Sequence, residues 1–203
     1  MYQAQRPARS AFLPIRLHRY HVLAWGDAAS TLPPLVLVHG WMDVAASYQF
    51  MVDALSADFF AGRLIVAPDW RGFGRSTAPA CDHYTFADYL GDLEGLLDHF
   101  AGDRPVDLVG HSMGGNIAMM YAGARPSRVR RLVNLEGFGM PATLPAQAPT
   151  RYAKWLDEIK SLHRGEMALR TYAEAGVTPK IVEMDVASAD LATREEQITV
   201  ANR

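Results

Sequence analysis

Short apolar runs alternate with amphipathic stretches along the first part of the chain. Leu35-Val36-Leu37-Val38 is an uninterrupted apolar run between Pro33-Pro34 and His39-Gly40, which predicts a buried strand bounded by turns. Leu64-Ile65-Val66-Ala67 is a second such run, ending at Pro68-Asp69, and Val106-Asp107-Leu108-Val109, with one aspartate in it, is a third strand segment, ending at Gly110. Arg131-Leu132-Val133-Asn134-Leu135 is the fourth, ending at Glu136-Gly137. Between them Phe86, Tyr89, Leu90, Leu93, Leu96, Leu97 and Phe100 recur at three- and four-residue steps. That spacing gives a helix one apolar face, and Gly102 closes it. A further helix is expected to follow Ser112 and run to about Ala124. Ile15 to Trp25 alternates more loosely, consistent with an opening hairpin strand or two. Strands alternating with helices predict βαβ units and a mostly parallel sheet flanked by helices, an α/β fold.

After Gly139 the texture changes. Met140 to Thr150 holds three prolines and reads as a linker. Tyr152, Trp155, Leu156, Ile159 and Leu162 mark an amphipathic helix, and a second helix is expected from Glu166 to Ala175, stopped by Gly176 and Pro179. The tail is weakly patterned, with a capping-box spacing at Thr193 and Glu196. The expected division is therefore a core over residues 1–139, through the sixth strand, and a linker with a partial helical lid over 140–203.

Composition narrows the functional classes. Of 203 residues 49% are hydrophobic and 21% charged, an ordinary globular balance. Twenty Lys+Arg against 22 Asp+Glu leave a net charge of -2, which gives no electrostatic reason to expect nucleic acid or an anionic membrane as partner. No apolar run reaches the ~20 residues a membrane span needs. The basic N-terminus lacks the apolar segment of a secretory signal. The single cysteine, Cys81, excludes an internal disulfide and disfavours structural zinc. The expected address is the cytoplasm, with no metal and no cofactor.

The residues that carry chemistry sit at the ends of the apolar runs. Gly110-His111-Ser112-Met113-Gly114 fits G-x-S-x-G, directly after one strand and before a helix. Glycines flanking the serine allow a sharp strand-to-helix turn that holds Ser112 strained and exposed. The Met113 N–H, at the helix N-terminus, then points at a carbonyl under attack. A second backbone donor has to come from a neighbouring loop, and His39-Gly40-Trp41 supplies one: Gly40 permits close approach and the Trp41 N–H is the donor. His39 reads as a brace of that loop, and the Trp41 ring as a wall of the acyl pocket. Asp69-Trp70-Arg71-Gly72-Phe73-Gly74-Arg75-Ser76 reads as a turn in which Asp69 and Arg71 tie down loops around the site.

HGW, DWRGFGRS and GHSMGG, in this order, resemble the α/β-hydrolase fold superfamily over roughly Pro14 to Gly139. The resemblance implies Ser112 as nucleophile, with the Trp41 and Met113 N–H groups as oxyanion hole. A serine at this position separates the chain from the dehalogenase branch, which carries an aspartate there. The implied activity is that of a serine esterase or lipase-like hydrolase acting on a small acyl substrate.

The resemblance also implies parts that are not evident. The family places its base, a histidine, on a loop after the last strand, and a serine hydroxyl is a poor nucleophile without one. After Ser112 the only histidine is His163, on or beside the amphipathic lid helix with no strand before it. His111 adjoins the nucleophile but is expected to point away. The acid is open between Glu136, at the end of the Leu132–Leu135 strand, and a position that has no counterpart here; Glu136 equally reads as a loop-bracing or substrate-side carboxylate. Two readings follow. The chain is a piece of a hydrolase whose base lies downstream, or it is a non-catalytic relative that binds a small ligand or a partner. The first is favoured, because the Leu132–Leu135 strand would otherwise be a bare apolar edge; that edge also offers a route to a homodimer. Thioester, lactone and C–C bond hydrolysis, and perhydrolysis, stay open alongside esters, whereas epoxide opening requires a carboxylate where Ser112 stands.

Overall fold

The computed structural model describes residues 2–77, 79, 84–137 and 144–161. His163, Cys81, the helix expected over 166–175 and the Thr193/Glu196 capping box lie outside them. Six strands, β1 (Arg9–Ile15), β2 (His18–Gly26), β3 (Leu35–Val38), β4 (Leu64–Pro68), β5 (Val106–His111) and β6 (Val129–Leu135), form one sheet in the order β1-β2-β4-β3-β5-β6. The opening hairpin β1–β2 is antiparallel and joins the sheet antiparallel to β4; β4, β3, β5 and β6 run parallel. All four residues of β3 and all five of β4 are buried, as strands covered on both faces should be.

Alternation along the strands divides the core into two. Val36, Val38, Leu64, Val66, Val106 and Leu108 face the side packed by helices α3 (Phe86–Ala101) and α4 (Met113–Ala124). Leu35, Leu37, Ile65, Ala67 and Val109 face the other side, covered by Ala45, Tyr48 and Val52. Val52 belongs to α1 (Gln49–Ala54), which is followed by the single-turn α2 (Ala57–Phe60). Helix α3 begins where the Asp88 carboxylate accepts the Thr85 N–H at 3.1 Å, and ends at Gly102, φ 57°. β1 and β6 are the edge strands, and Leu132, Val133 and Leu135 on β6 are exposed.

The described residues divide between two units, bounded as Met1–Pro141 and Ala142–Arg203. In the second, α5 (Ala148–Ser161) carries Tyr152, Trp155 and Leu156. Its start corrects the expected linker, which ran to Thr150. Pro149 is tolerated because the first-turn N–H groups of a helix have no intrahelical partner. Among the described residues no helix is long and apolar enough to cross a membrane.

Candidate active site

The register of the parallel strands brings four loops to one edge of the sheet. Val38 pairs with Gly110 and His111 with Leu135, so the segments after β3, β5 and β6 leave the sheet side by side, with Asp69 at the end of β4. Carboxyl ends of parallel strands are where α/β sheets place ligands.

Ser112 sits between β5 and α4 with φ 49° and ψ -115°. A non-glycine residue there is held by its surroundings at a cost of order 1–3 kcal/mol. The Ser112 N–H donates to the Leu135 carbonyl at 2.8 Å, and its own carbonyl accepts the Asn116 N–H at 3.0 Å. The flanking glycines have steric reasons. A Cβ on Gly110 would lie 2.7 Å from the Gly114 carbonyl carbon, and one on Gly114 would lie 2.5 Å from the His39 carbonyl oxygen. Met113 opens α4, whose first N–H groups lack intrahelical partners. Among the described residues no side chain is hydrogen-bonded to the Ser112 hydroxyl.

Gly40 abuts the same point: a Cβ there would stand 3.1 Å from Ser112 Cβ and 3.0 Å from His111 Nδ1. Trp41 is exposed and sets its ring at 5.3 Å, edge to face, on Phe73. His39 is buried, and both its ring nitrogens are used. Nε2 accepts the Trp70 N–H at 2.9 Å, so Nδ1 carries the hydrogen and donates to the Gly40 carbonyl at 2.7 Å. The Trp70 indole N–H returns to the His39 carbonyl at 3.0 Å. Glu136 has φ 59° and is largely exposed, with His111 Nε2 3.9 Å from its carboxylate. Its turn is closed by Asn134, which accepts the Gly137 N–H at 2.8 Å and donates to the Gly137 carbonyl at 2.6 Å.

Asp69 is buried and accepts three donors: the Ala45 N–H at 2.7 Å, the Arg75 N–H at 2.8 Å and His21 Nδ1 at 2.7 Å. Burial pushes its carboxyl up, but the His21, Arg75 and Ala45 hydrogen bonds outweigh that and hold it below the ordinary carboxylate value. Arg71 forks onto Asp92 at 2.5 and 2.7 Å beneath the same loop, and Asp92 also takes the Tyr20 hydroxyl and Arg16.

A family model described as alpha/beta hydrolase fold matches residues 33–173. The chain belongs to this family. Epoxide hydrolase 2 of Siraitia grosvenorii is 33% identical over 174 residues, which are 85% of this chain and 49% of that enzyme. The 2-hydroxy-6-oxo-2,4-heptadienoate hydrolase of Pseudomonas putida is 38% identical over 110 residues, 53% of this chain and 38% of that enzyme. Among solved structures, a hypothetical protein of Pseudomonas aeruginosa PAO1 matches with TM-score 0.61 at 27% identity, covering 80% of this chain and 52% of that one. The thioesterase domain of the curacin biosynthetic pathway matches with TM-score 0.59 at 25% identity, over 76% and 54%. The chain thus spans about half, or less, of the curated relatives it matches.

Within this α/β-hydrolase sheet, Ser112, Met113, Gly40, Trp41, His111 and Glu136 come together at one edge, with His39 and Asp69 buried behind them. Sequence reasoning missed His21 and Asn134. Asn134 is legible in hindsight, since an Asn two residues before a positive-φ position is a turn former. His21 carried no local signal, because its partner lies in another strand's loop.

Proposed function

We propose that the protein is a serine hydrolase that acts on a carboxylic ester or a related acyl substrate through an acyl-enzyme on Ser112. The observation that carries this reading is the φ 49° conformation of Ser112 at the β5–α4 turn, beside which Gly40 leaves no room for a side chain: an added Cβ would stand 3.1 Å from Ser112 Cβ. Strain of this kind collects at functional sites, and the turn lies at the carboxyl end of β5, where α/β sheets place ligands. Ser112 Oγ attacks the acyl carbon, and the Met113 and Trp41 N–H groups receive the charge that develops on the carbonyl oxygen. The serine proton passes to a base and from it to the departing alcohol; water then releases the acid. Glu136 is the proposed acid. His163, the one histidine after Ser112, lies outside the described residues.

Epoxide opening, suggested by the Siraitia relative's name, is not proposed, since its nucleophile would be a carboxylate at the place of Ser112. A second substrate reading rests on the Pseudomonas putida relative, 38% identical: an unsaturated oxo acid whose oxo carbon meets Ser112. Incubation with a p-nitrophenyl ester, followed by intact-mass and peptide mass spectrometry, tests the acyl-enzyme. One acyl group on the Ser112 peptide, absent from Ser112→Ala, is expected; p-nitrophenol release that is the same in Ser112→Ala refutes it.

A further inference from the structure

Resting on the reading of Ser112 as nucleophile, the structure carries a second assignment, to a residue outside the three sequence motifs. The segment from His39 to Ala45 carries the Trp41 N–H. Its near end is fixed from within the fold: His39 is bonded to Trp70 through side chain and carbonyl, and the Tyr48 hydroxyl donates to the Val38 carbonyl at 2.8 Å. Between these ends the chain passes through Met42, φ 54°. Its far end is tied by Ala45, whose N–H donates to Asp69 Oδ1 at 2.7 Å.

The carboxylate that receives Ala45 is itself aimed through its other oxygen, Oδ2, by His21 together with the Arg75 N–H at 2.8 Å. His21 and Asp69 are 3% and 2% exposed, and Nδ1 lies 2.7 Å from Asp69 Oδ2. Ser10 Oγ stands 2.9 Å from His21 Nε2, and an Arg75 guanidinium nitrogen 3.4 Å. A guanidinium only donates, so Nε2 is the acceptor and Nδ1 carries the hydrogen, which points at Asp69. The backbones are clamped as well: the Ser76 hydroxyl donates to the Asp69 carbonyl at 2.6 Å and accepts the His21 N–H at 2.8 Å. Asp69 therefore cannot swing away while His21 holds it, and it cannot hold Ala45 in another rotamer.

We propose that His21 is a positioning residue for the oxyanion loop: through Asp69 and Ala45 it fixes where the Trp41 N–H stands relative to Ser112. His21 touches no substrate. Its role is the tautomer-specific Nδ1–H donation that orients a carboxylate, which in turn orients a loop.

The test uses the full chain and two variants. His21→Leu removes the donor while filling much of the space, and His21→Asn returns an amide N–H near the Nδ1 position. Two readouts are taken: backbone hydrogen exchange by mass spectrometry and the second-order rate of fluorophosphonate labelling at Ser112. In His21→Leu, exchange should rise in the peptide spanning residues 40–47 while β3 and β5 keep wild-type protection. Labelling should fall by about tenfold to a hundredfold, the effect of a donor displaced by about 1 Å. His21→Asn should restore both to within about threefold of wild type. Unchanged loop exchange in His21→Leu, a rise spread equally over β3 and β5, or no rescue by His21→Asn overturns the proposal. If wild-type Ser112 takes no label at all, the acyl-enzyme reading fails, and the exchange pattern alone still decides the positioning role.

Discussion

Gly40→Ala separates chemistry from stability at this site. The added Cβ would lie 3.1 Å from Ser112 Cβ, 3.0 Å from His111 Nδ1 and 3.4 Å from His111 Cε1. These are tight contacts, requiring a few tenths of an ångström of adjustment. The His111 side chain is partly exposed, at 42%, and can give way. Ser112 Cβ cannot move as freely, because the 49° φ and the Leu135 and Asn116 hydrogen bonds fix its backbone. Mild overpacking costs about 1 kcal/mol. Losing the freedom of glycine in the unfolded chain returns about 0.4–1 kcal/mol. The net change in folding free energy should be within about 1 kcal/mol, a shift of roughly 2–4 °C in Tm for a chain of this size. The reacting geometry should suffer more, since a small misplacement of a nucleophile costs up to about a hundredfold. Urea denaturation and the fluorophosphonate labelling rate measure the two effects. Gly114→Ala is the contrast: its Cβ would meet backbone, the His39 carbonyl oxygen at 2.5 Å and the Val38 carbonyl carbon at 2.8 Å, and should cost roughly 3 kcal/mol or more. A Gly40→Ala protein that is as stable and as reactive as wild type, or one that fails to fold, refutes this reasoning.

Three further outcomes are expected. Ser112→Gly should abolish labelling yet raise stability by about 1 kcal/mol in denaturant melts, since relief of a strain of roughly 1–3 kcal/mol outweighs the extra unfolded-state freedom of glycine; a less stable variant contradicts the strained elbow. Arg71→Met leaves the fully buried Asp92 without its forked partner and should cost about 3 kcal/mol, most of it recovered on adding Asp92→Asn; a neutral single variant contradicts the pairing. Asp69 has a native carboxyl held below its ordinary value, so its contribution is full above the unfolded value of about 3.9 and is lost as pH falls through the lowered native value. Asp69→Asn should flatten that part of the acid limb in urea midpoints measured against pH, and an unchanged limb contradicts the assignment.

The parts of the fold that the sequence makes legible are those where burial is one-dimensional. β3, β4 and β5 are covered on both faces, so β3 and β4 appear as continuous apolar runs and β5 as one interrupted only by Asp107, and α3 shows its period because one face carries most of its buried side chains. α1 and α2 escape because they bury Val52 and nothing else. Asp92 interrupts the apolar face of α3, and only the Arg71, Tyr20 and Arg16 contacts from distant segments explain a carboxylate there. The start of α5 was obscured by proline, which breaks a helix interior but suits its first turn. At the site, Ser112, Met113 and Gly114 are legible because a strand, a tight turn and a helix are all local in sequence. The Asp69 partners are not: His21 lies 48 positions away and Ala45 24, and no spacing rule connects them.

The most direct measurement is fluorophosphonate labelling of the folded wild-type chain and of Ser112→Ala, read by peptide mass spectrometry, with and without added imidazole as an external base. The expected result is one adduct, on the Ser112 peptide, faster with imidazole and absent from Ser112→Ala. A folded chain that takes no adduct at Ser112 under either condition contradicts the acyl-enzyme reading.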